Sequence, residues 1–515
     1  MVERTIYCGS EEIMIINKVK KIIVFGGGTS GWATAAYLVK NLKVPAEIVL
    51  IEDAKAGPIG VGEGTQPFTA QFLHQCGITP KMWMKDSHAS FKLGVELTGW
   101  VDNPYFVDND TSDNCMIAEN FFTSDYFSRK PHAEFVNWHP AYQLAKANKA
   151  LKLKDHFDLN FGMGEENYGA VHFSALDIIK TIKNLILDKI TYVDTKIVDV
   201  QQDMYGISRL VDESGNSYSG DLYIDCTGFK SVLINQTLKV PFESYDKWLI
   251  NDSAVAIQTQ FKNPEEECHP FTKSTTMNAG WRWTIPIFNR IGNGYVYSSK
   301  FLTEEQAEKE LRDAIGDYSS PVNRVKMRCG RQSEIAHKNV CAVGLSAGFV
   351  EPLEATGITF TTAVVKSLTD LLNMHGNVWN SNVKAALNRG FYEMAMEILT
   401  FVWVHYYFSN RNDTPYWQHI RSQKLDDLPE DCKFILSAFY PNPPRYLFFS
   451  PASMFNAVQW FSVLHAGGAY KDLPPLTPEQ ENYGKYFVDV QSYRVEQAKK
   501  LFQNQHTYLK NWYNE

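Results

Sequence analysis

Lys20-Lys21-Ile22-Ile23-Val24-Phe25-Gly26-Gly27-Gly28-Thr29-Ser30-Gly31, followed by the apolar run Trp32 to Leu42, decides the fold of this chain. Residues 20–25 read as a short buried strand, and the run after the glycines reads as a helix. Gly26, Gly28 and Gly31 stand in the order GxGxxG. In that pattern the glycines permit a tight turn, close approach of backbone to a pyrophosphate, and close packing of helix on strand. The anion then faces the helix N-terminus, with Thr29 and Ser30 beside it. The next apolar strand, Ile48 to Ile51, ends in Glu52, about 20 residues on, where a ribose-binding carboxylate belongs. GxGxxG alone is also a chance turn; its place between strand and helix, with the acid after it, makes it a dinucleotide site.

Two later segments end as strands running into small-residue turns: Leu222-Tyr223-Ile224-Asp225-Cys226-Thr227-Gly228 and Val340-Cys341-Ala342-Val343-Gly344-Leu345-Ser346-Ala347-Gly348. Both resemble the later cofactor-contacting strands of the FAD-dependent monooxygenase-like fold, which adds Leu345 and Gly348 to the candidate cofactor residues. A glycine-rich strap from Gly57 to Gly64, with Gly62 in it, could lie along the flavin. No second GxGxxG follows for NAD(P)H, so reducing power is expected from outside. Near the middle stands Trp281-Arg282-Trp283-Thr284-Ile285-Pro286. On a strand, period-2 geometry places the two indoles on one face as an aromatic wall, while Pro286 ends or edges the strand. Two tryptophans by themselves would be core residues.

Composition fits a soluble enzyme. A chain of 515 residues can bury a large core. Its net charge of −8 and pI near 5.9 speak against a nucleic-acid surface. The eight cysteines show no CxxC spacing, so neither a zinc site nor a disulfide framework is expected. The first sixteen residues lack the basic and apolar regions of a signal peptide, and the longest apolar run, Ile398 to Phe408, is too short to span a bilayer. A cytoplasmic, soluble protein without membrane or nucleic-acid partners is the expectation.

The expected fold class is α/β (α+β): a Rossmann-type FAD module with mixed sheets plus a mostly helical C-terminal module. Residues 1–100 and 160–375 form the FAD-binding module, 101–159 an insertion or lid, and 376–515 the helical substrate-binding module. The lid assignment rests on Asp102 to Asn114, rich in Asp and Asn. Ser214-Gly215-Asn216-Ser217 reads as a hairpin turn, and Thr356 to His375 as a helix capped by Gly376. Leu387, Phe391, Met394, Ile398 and Phe401 recur at steps of four and three, giving a long amphipathic helix.

With GxGxxG at the N-terminus and WxWxIP near the middle, the chain resembles the flavin-dependent halogenases of the tryptophan halogenase family over most of its length. Further matching segments are Gly60-Val61-Gly62-Glu63-Gly64-Thr65, Ala89-Ser90-Phe91-Lys92, Phe349 to Gly357 with its PLExTG core, His405-Tyr406, and Asp413 to Trp417. The resemblance implies FAD, delivered as FADH2 by a separate flavin reductase, together with O2 and a halide ion, and no metal. It implies that Lys92 holds the hypohalous acid, or reacts with it to a haloamine, beside one aromatic carbon. Glu354 would orient that species and accept the proton lost from the arene. Thr356 and Gly357, at a helix start, become candidate halide ligands. Trp281, Trp283 and Pro286 would keep substrate from the flavin. Without the resemblance, Lys92 would read as a surface lysine and Glu354 as a helix N-terminal acid.

Ala355 departs from the serine of well-known tryptophan-specific members, which suggests bromide or iodide over chloride, with chloride still within reach. The substrate expectation is an electron-rich aromatic such as an indole or phenol. Tyr446, Phe448, Phe449, Phe455 and Trp460 are the candidate substrate aromatics, each otherwise a core residue. An HPFG-like segment after the lysine is missing, and Asn120 to Phe127 stands in its place, which puts free tryptophan in doubt. A flavin-dependent aromatic monooxygenase and a non-catalytic FAD-binding protein remain the alternatives, and the chain leaves a homo-oligomer open.

Overall fold

The computed structural model describes residues 17–56, 63–109, 124–149, 169–443 and 453–514. Gly62, Tyr446, Phe448, Phe449 and residues 120–123 therefore lie outside the described residues.

The strand Lys21–Phe25 and the helix Thr29–Asn41 form as the glycine motif requires, the helix starting three residues before the apolar run at Trp32. The strand sits inside a six-stranded sheet whose order is Ala336–His337, Val340–Ala342, Leu222–Asp225, Lys21–Phe25, Glu47–Glu52 and Thr191–Asp194. All of these pairs are parallel except the Ala336–His337 edge. Parallel strands are covered on both faces, and Ile22, Ile23, Val24 and Leu50 are accordingly buried. The three strand ends expected to meet a dinucleotide thus lie side by side.

A second sheet of seven strands carries the WxWxIP segment. Its order is Val322–Lys326, Ser253–Thr259, Arg290–Tyr297, Gly280–Ile287, Thr272–Met277, Gly94–Thr98 and Tyr105–Asp108. A small antiparallel sheet of Glu63–Gly64, Ala170–Phe173 and Ser90–Lys92 sits beside it and holds Lys92. The hairpin turn at residues 214–216, the helix Gly357–Met374 with Gly376 left-handed behind it, and the long helix Ser381–Tyr407 all fall where the periodicity places them.

One expectation needs correction. Asp102 to Asn114 is not a surface loop throughout, because Tyr105–Asp108 is a fully buried edge strand. The helices His132–Trp138 and Pro140–Lys146, within the 101–159 segment, pack on the C-terminal helices, with Phe135 edge-on to Phe461 at 5.0 Å. In the last described helix Tyr513 donates to Ala89 O at 2.6 Å, beside the Lys92 strand. Sequence periodicity reports which face is apolar, not which distant element covers it. No helix among the described residues is long and apolar enough to cross a membrane.

Candidate active site

The glycine turn opens onto a cavity of about 1110 Å³. Gly26 has φ 115°, and a Cβ there would lie 2.3 Å from Cys226 O; one on Gly31 would lie 1.8 Å from Gly26 O. Gly28 faces open space, so the turn presents bare backbone to the cavity at the start of the helix. Thr29, Ser30, Glu52 and Leu345 also line it. Gly27, which the motif leaves unspecified, is equally constrained: a Cβ there would stand 1.6 Å from Glu52 Oε2.

Glu52 is not a bare ribose acceptor. Lys183 Nζ and Tyr192 OH each donate to Oε1 at 2.7 Å, and Trp32 Nε1 lies 3.3 Å from Oε2. Gly348 also departs from expectation. It pairs with Arg331, where a Cβ would meet Gly330 O at 2.9 Å, and it is absent from the cavity lining. Its small size serves strand packing.

Lys92, Trp281, Trp283 and Ile285 also line the cavity. Alternation along Gly280–Ile287 puts these three strand residues on one face, with the indole centroids 6.2 Å apart. Pro286 neither ends the strand nor faces the cavity. The strand continues to Ile287, and the Pro286 carbonyl points the other way, accepting from Ser90 Oγ at 2.6 Å and lying 3.1 Å from His172 Nδ1. Room for Trp283 comes from Gly294 opposite it, where a Cβ would lie 2.0 Å from the indole.

Lys92 is 2 % exposed, which rules out the surface-lysine alternative. Its ammonium donates to Thr65 O at 3.0 Å. Burial pushes its pKa down to about 8, against a smaller upward pull from the Glu354 carboxylate. Glu354 belongs to the short helical turn Pro352–Glu354 and is fully buried, not a solvated helix-start acid. Pro352, Leu353 and Ala355 line the cavity, whereas Glu354 turns away from it, toward His405 Nε2 at 3.3 Å. His405 Nδ1 is 2.7 Å from Tyr105 OH. Neither Glu354 carboxylate oxygen has a hydrogen bond among the described residues.

Ala355 follows with φ 56°, a left-handed backbone that kinks the chain so that Gly357 can start the next helix. Gly357 lines the cavity and faces open space, and the buried Thr356 hydroxyl is unpaired among the described residues. On the far side of Glu354, His405 meets Phe401 edge-on at 5.3 Å, and Phe401 stacks on Phe455 at 3.8 Å and meets Trp460 at 4.7 Å. Phe455 and Trp460 are buried in this aromatic cluster and do not line the cavity.

Sequence reading missed several contributors. Glu351 is fully buried and receives Trp281 Nε1 at 2.9 Å, Tyr406 OH at 2.7 Å and Asn251 Nδ2 at 2.8 Å on one oxygen. Burial pushes its pKa up, and these three donors partly offset the rise. Tyr105, Lys183 and Tyr192 carried no motif, and only contacts distant in sequence reveal them.

The chain matches the family described as tryptophan halogenase over residues 21–478. It is 31% identical over 436 residues to tryptophan 6-halogenase SttH of Streptomyces toxytricini, covering 79% of this chain and 82% of the relative. It is 32% identical over 432 residues to tryptophan 7-halogenase RebH of Lentzea aerocolonigenes, covering 80% of each. Among solved structures, Tar14, described as a tryptophan C-6 flavin-dependent halogenase (chlorinase) from taromycin biosynthesis, superposes with a TM-score of 0.84 at 27% identity, over 96% of this chain and all of that one. Fold, cavity and sequence agree, and this chain belongs to the tryptophan halogenase family of flavin-dependent enzymes.

Proposed function

We propose that this enzyme halogenates an electron-rich aromatic ring, with Lys92 holding the electrophilic halogen and Glu354 taking the ring proton. A single observation carries the reading: a buried lysine lines the same cavity as the glycine turn and two tryptophans, and feels the charge of a buried carboxylate.

The cavity suits FAD because the turn at Gly26 to Gly31 offers backbone and no side chain where a pyrophosphate would lie. Glu52, Leu345 and Thr29 would hold the rest of the dinucleotide. When bound and reduced by a separate flavin reductase, the flavin supplies, with O2, the oxidation of halide to hypohalous acid. The halide would sit at Thr356 and Gly357, where the start of a helix leaves amides free. Trp281 and Trp283 separate that space from the aromatic cluster around Phe455 and Trp460, so the ring to be modified stays off the flavin. Lys92 receives the hypohalous acid from the cavity side, as a hydrogen-bonded species or a haloamine. The oxygen of the hypohalous acid leaves as water with a proton from Lys92, the C–X bond forms, the C–H electron pair returns to the ring, and the ring proton goes to Glu354 and from there restores Lys92.

The relatives' names make an indole the first substrate to offer, with phenols next. Ala355 lines the cavity where a serine would add a hydroxyl, and this supports bromide or iodide over chloride; the description of Tar14 as a chlorinase keeps chloride in the comparison. Purified protein with FAD, an NADH-driven flavin reductase, O2 and an indole and phenol panel, with each halide in turn, should give halogenated product by mass spectrometry. Lys92→Ala should lose it by at least about 10²-fold while still binding FAD. Oxygenated product without halogen would instead identify an aromatic monooxygenase, and FAD binding with no product from any member of the panel would count against the reading.

A further inference from the structure

The turn that carries Glu354 is held from one side by two consecutive residues of the long helix Ser381–Tyr407. Tyr406 OH donates to Glu351 Oε2 at 2.7 Å, and His405 Nε2 stands 3.3 Å from Glu354 Oε1. Glu351 and Glu354 lie three residues apart, with Pro352 and Leu353 between them. Neighbouring residues on a helix point about 100° apart, so the pair reaches two different parts of the site. All four side chains are fully buried.

The two contacts lead to different machinery. Glu351 Oε2 also receives the indole N–H of Trp281 at 2.9 Å, so the Tyr406 contact is tied to the aromatic wall. His405 Nδ1 faces Tyr105 OH at 2.7 Å, and Tyr105 belongs to the edge strand of the same sheet that carries Trp281. With the phenol donating to Nδ1, the remaining imidazole proton sits on Nε2, 3.3 Å from Glu354 Oε1 but not aligned as a hydrogen bond, and the Glu354 carboxylate has no donor among the described residues. A 3.3 Å separation tightens readily when a charged or reacting group arrives.

We infer that His405 and Tyr406 are a pair of positioning residues with separable tasks: Tyr406 sets the Trp281 wall through Glu351, and His405, locked by Tyr105, aims Glu354 at the ring proton. This rests on the halogenase reading above. Misaiming a catalytic carboxylate by about 1 Å costs on the order of 10²-fold in rate. Loosening the wall costs no chemistry at the ring but lets oxidising equivalents escape as peroxide.

Two conservative variants separate the tasks: His405→Gln and Tyr406→Phe, assayed with indole and bromide beside the parent. For each, three quantities are read: product formation rate, hydrogen peroxide released per FADH2 consumed, and the isotope effect with fully ring-deuterated indole. FAD affinity and the thermal midpoint serve as checks on folding. His405→Gln should slow product formation by about 10²-fold and produce a primary isotope effect absent from the parent, because C–H cleavage becomes slow. Tyr406→Phe should raise peroxide release per FADH2 several-fold with no isotope effect. Tyr105→Phe should follow His405→Gln in milder form. If both variants change peroxide release and isotope effect together, or neither changes either, the division of tasks is wrong. If the parent itself yields no halogenated product, it is the halogenase reading that fails.

Discussion

At the scale of the residue, Lys92 shows what burial does to an ordinary amine. A surface lysine is protonated at neutral pH and cannot attack an electrophile, whereas an amine titrating near 8 is partly neutral there. Product formation should rise with pH through about 8, and a pH–rate profile measured at saturating FADH2 checks this. The same shift has a sign for stability. The folded state binds fewer protons than the unfolded chain between about 8 and 10.5, so Lys92 weakens folding below that window and ceases to do so as pH rises through it. Lys92→Met should therefore be more stable than the parent at pH 7, by up to about 3 kcal/mol, with the gain shrinking toward pH 10; urea titrations at both pH values test it. Ala355 is the other informative single residue. Ala355→Ser should shift competition between bromide and chloride toward chloride by a few-fold, read by mass spectrometry with both halides at equal concentration. An unchanged ratio would remove Ala355 as the cause of halide choice.

At the scale of the element, the strand Gly280–Ile287 is what makes a wall out of two tryptophans. Its pleat puts Trp281, Trp283 and Ile285 on the cavity side and turns the Pro286 carbonyl toward Ser90, while the neighbouring strand contributes a glycine where Trp283 needs space. Gly294→Ala would insert a methyl into the Trp283 ring, so the indole must swing into the cavity. The expected result is a loss of about 1–3 kcal/mol in stability, weaker FAD binding and more peroxide per FADH2, measured by denaturant titration, flavin fluorescence and a peroxide assay. Retained FAD affinity and coupling would show that the wall adapts. The turn Pro352–Glu354 works on the same principle: one left-handed residue, Ala355, separates a carboxylate facing one way from a helix start facing the other.

At the scale of the molecule, the last described helix closes on the strand of Lys92. The helix Gln505–Asn514 lies beyond the 21–478 segment matched to the family, yet Tyr513 donates to Ala89 O and Tyr508 meets Phe91 at 6.0 Å, both within three residues of Lys92. Removing residues 504–515 should lower the thermal midpoint and impair halogenation while the glycine turn, on another sheet, still binds FAD. Tyr513→Phe isolates the hydrogen bond and should cost about 1 kcal/mol. Calorimetry with a product assay decides it, and full activity in the truncated protein would show that the Lys92 strand stands without this helix.

The sequence by itself determined what neighbours in the chain can determine. The glycine turn, the carboxylate ending the next strand, the two same-face indoles and the Pro352–Glu354 turn before a helix all depend on residues a few positions apart, whose sterics and periodicity act locally. The spacing of those motifs also sufficed for the family. Tertiary structure alone decided which groups answer one another across long stretches of chain: Lys92 with Thr65, Glu354 with His405, Trp281 with Glu351, and Glu52 with Lys183. It also decided that Tyr105–Asp108 forms the edge of a sheet, and that Gly348 pairs with Arg331. The physical reason is that burial, and with it the lowered pKa of Lys92 and the raised pKa of Glu351, is a property of everything packed around a group, and no local pattern of residues encodes it.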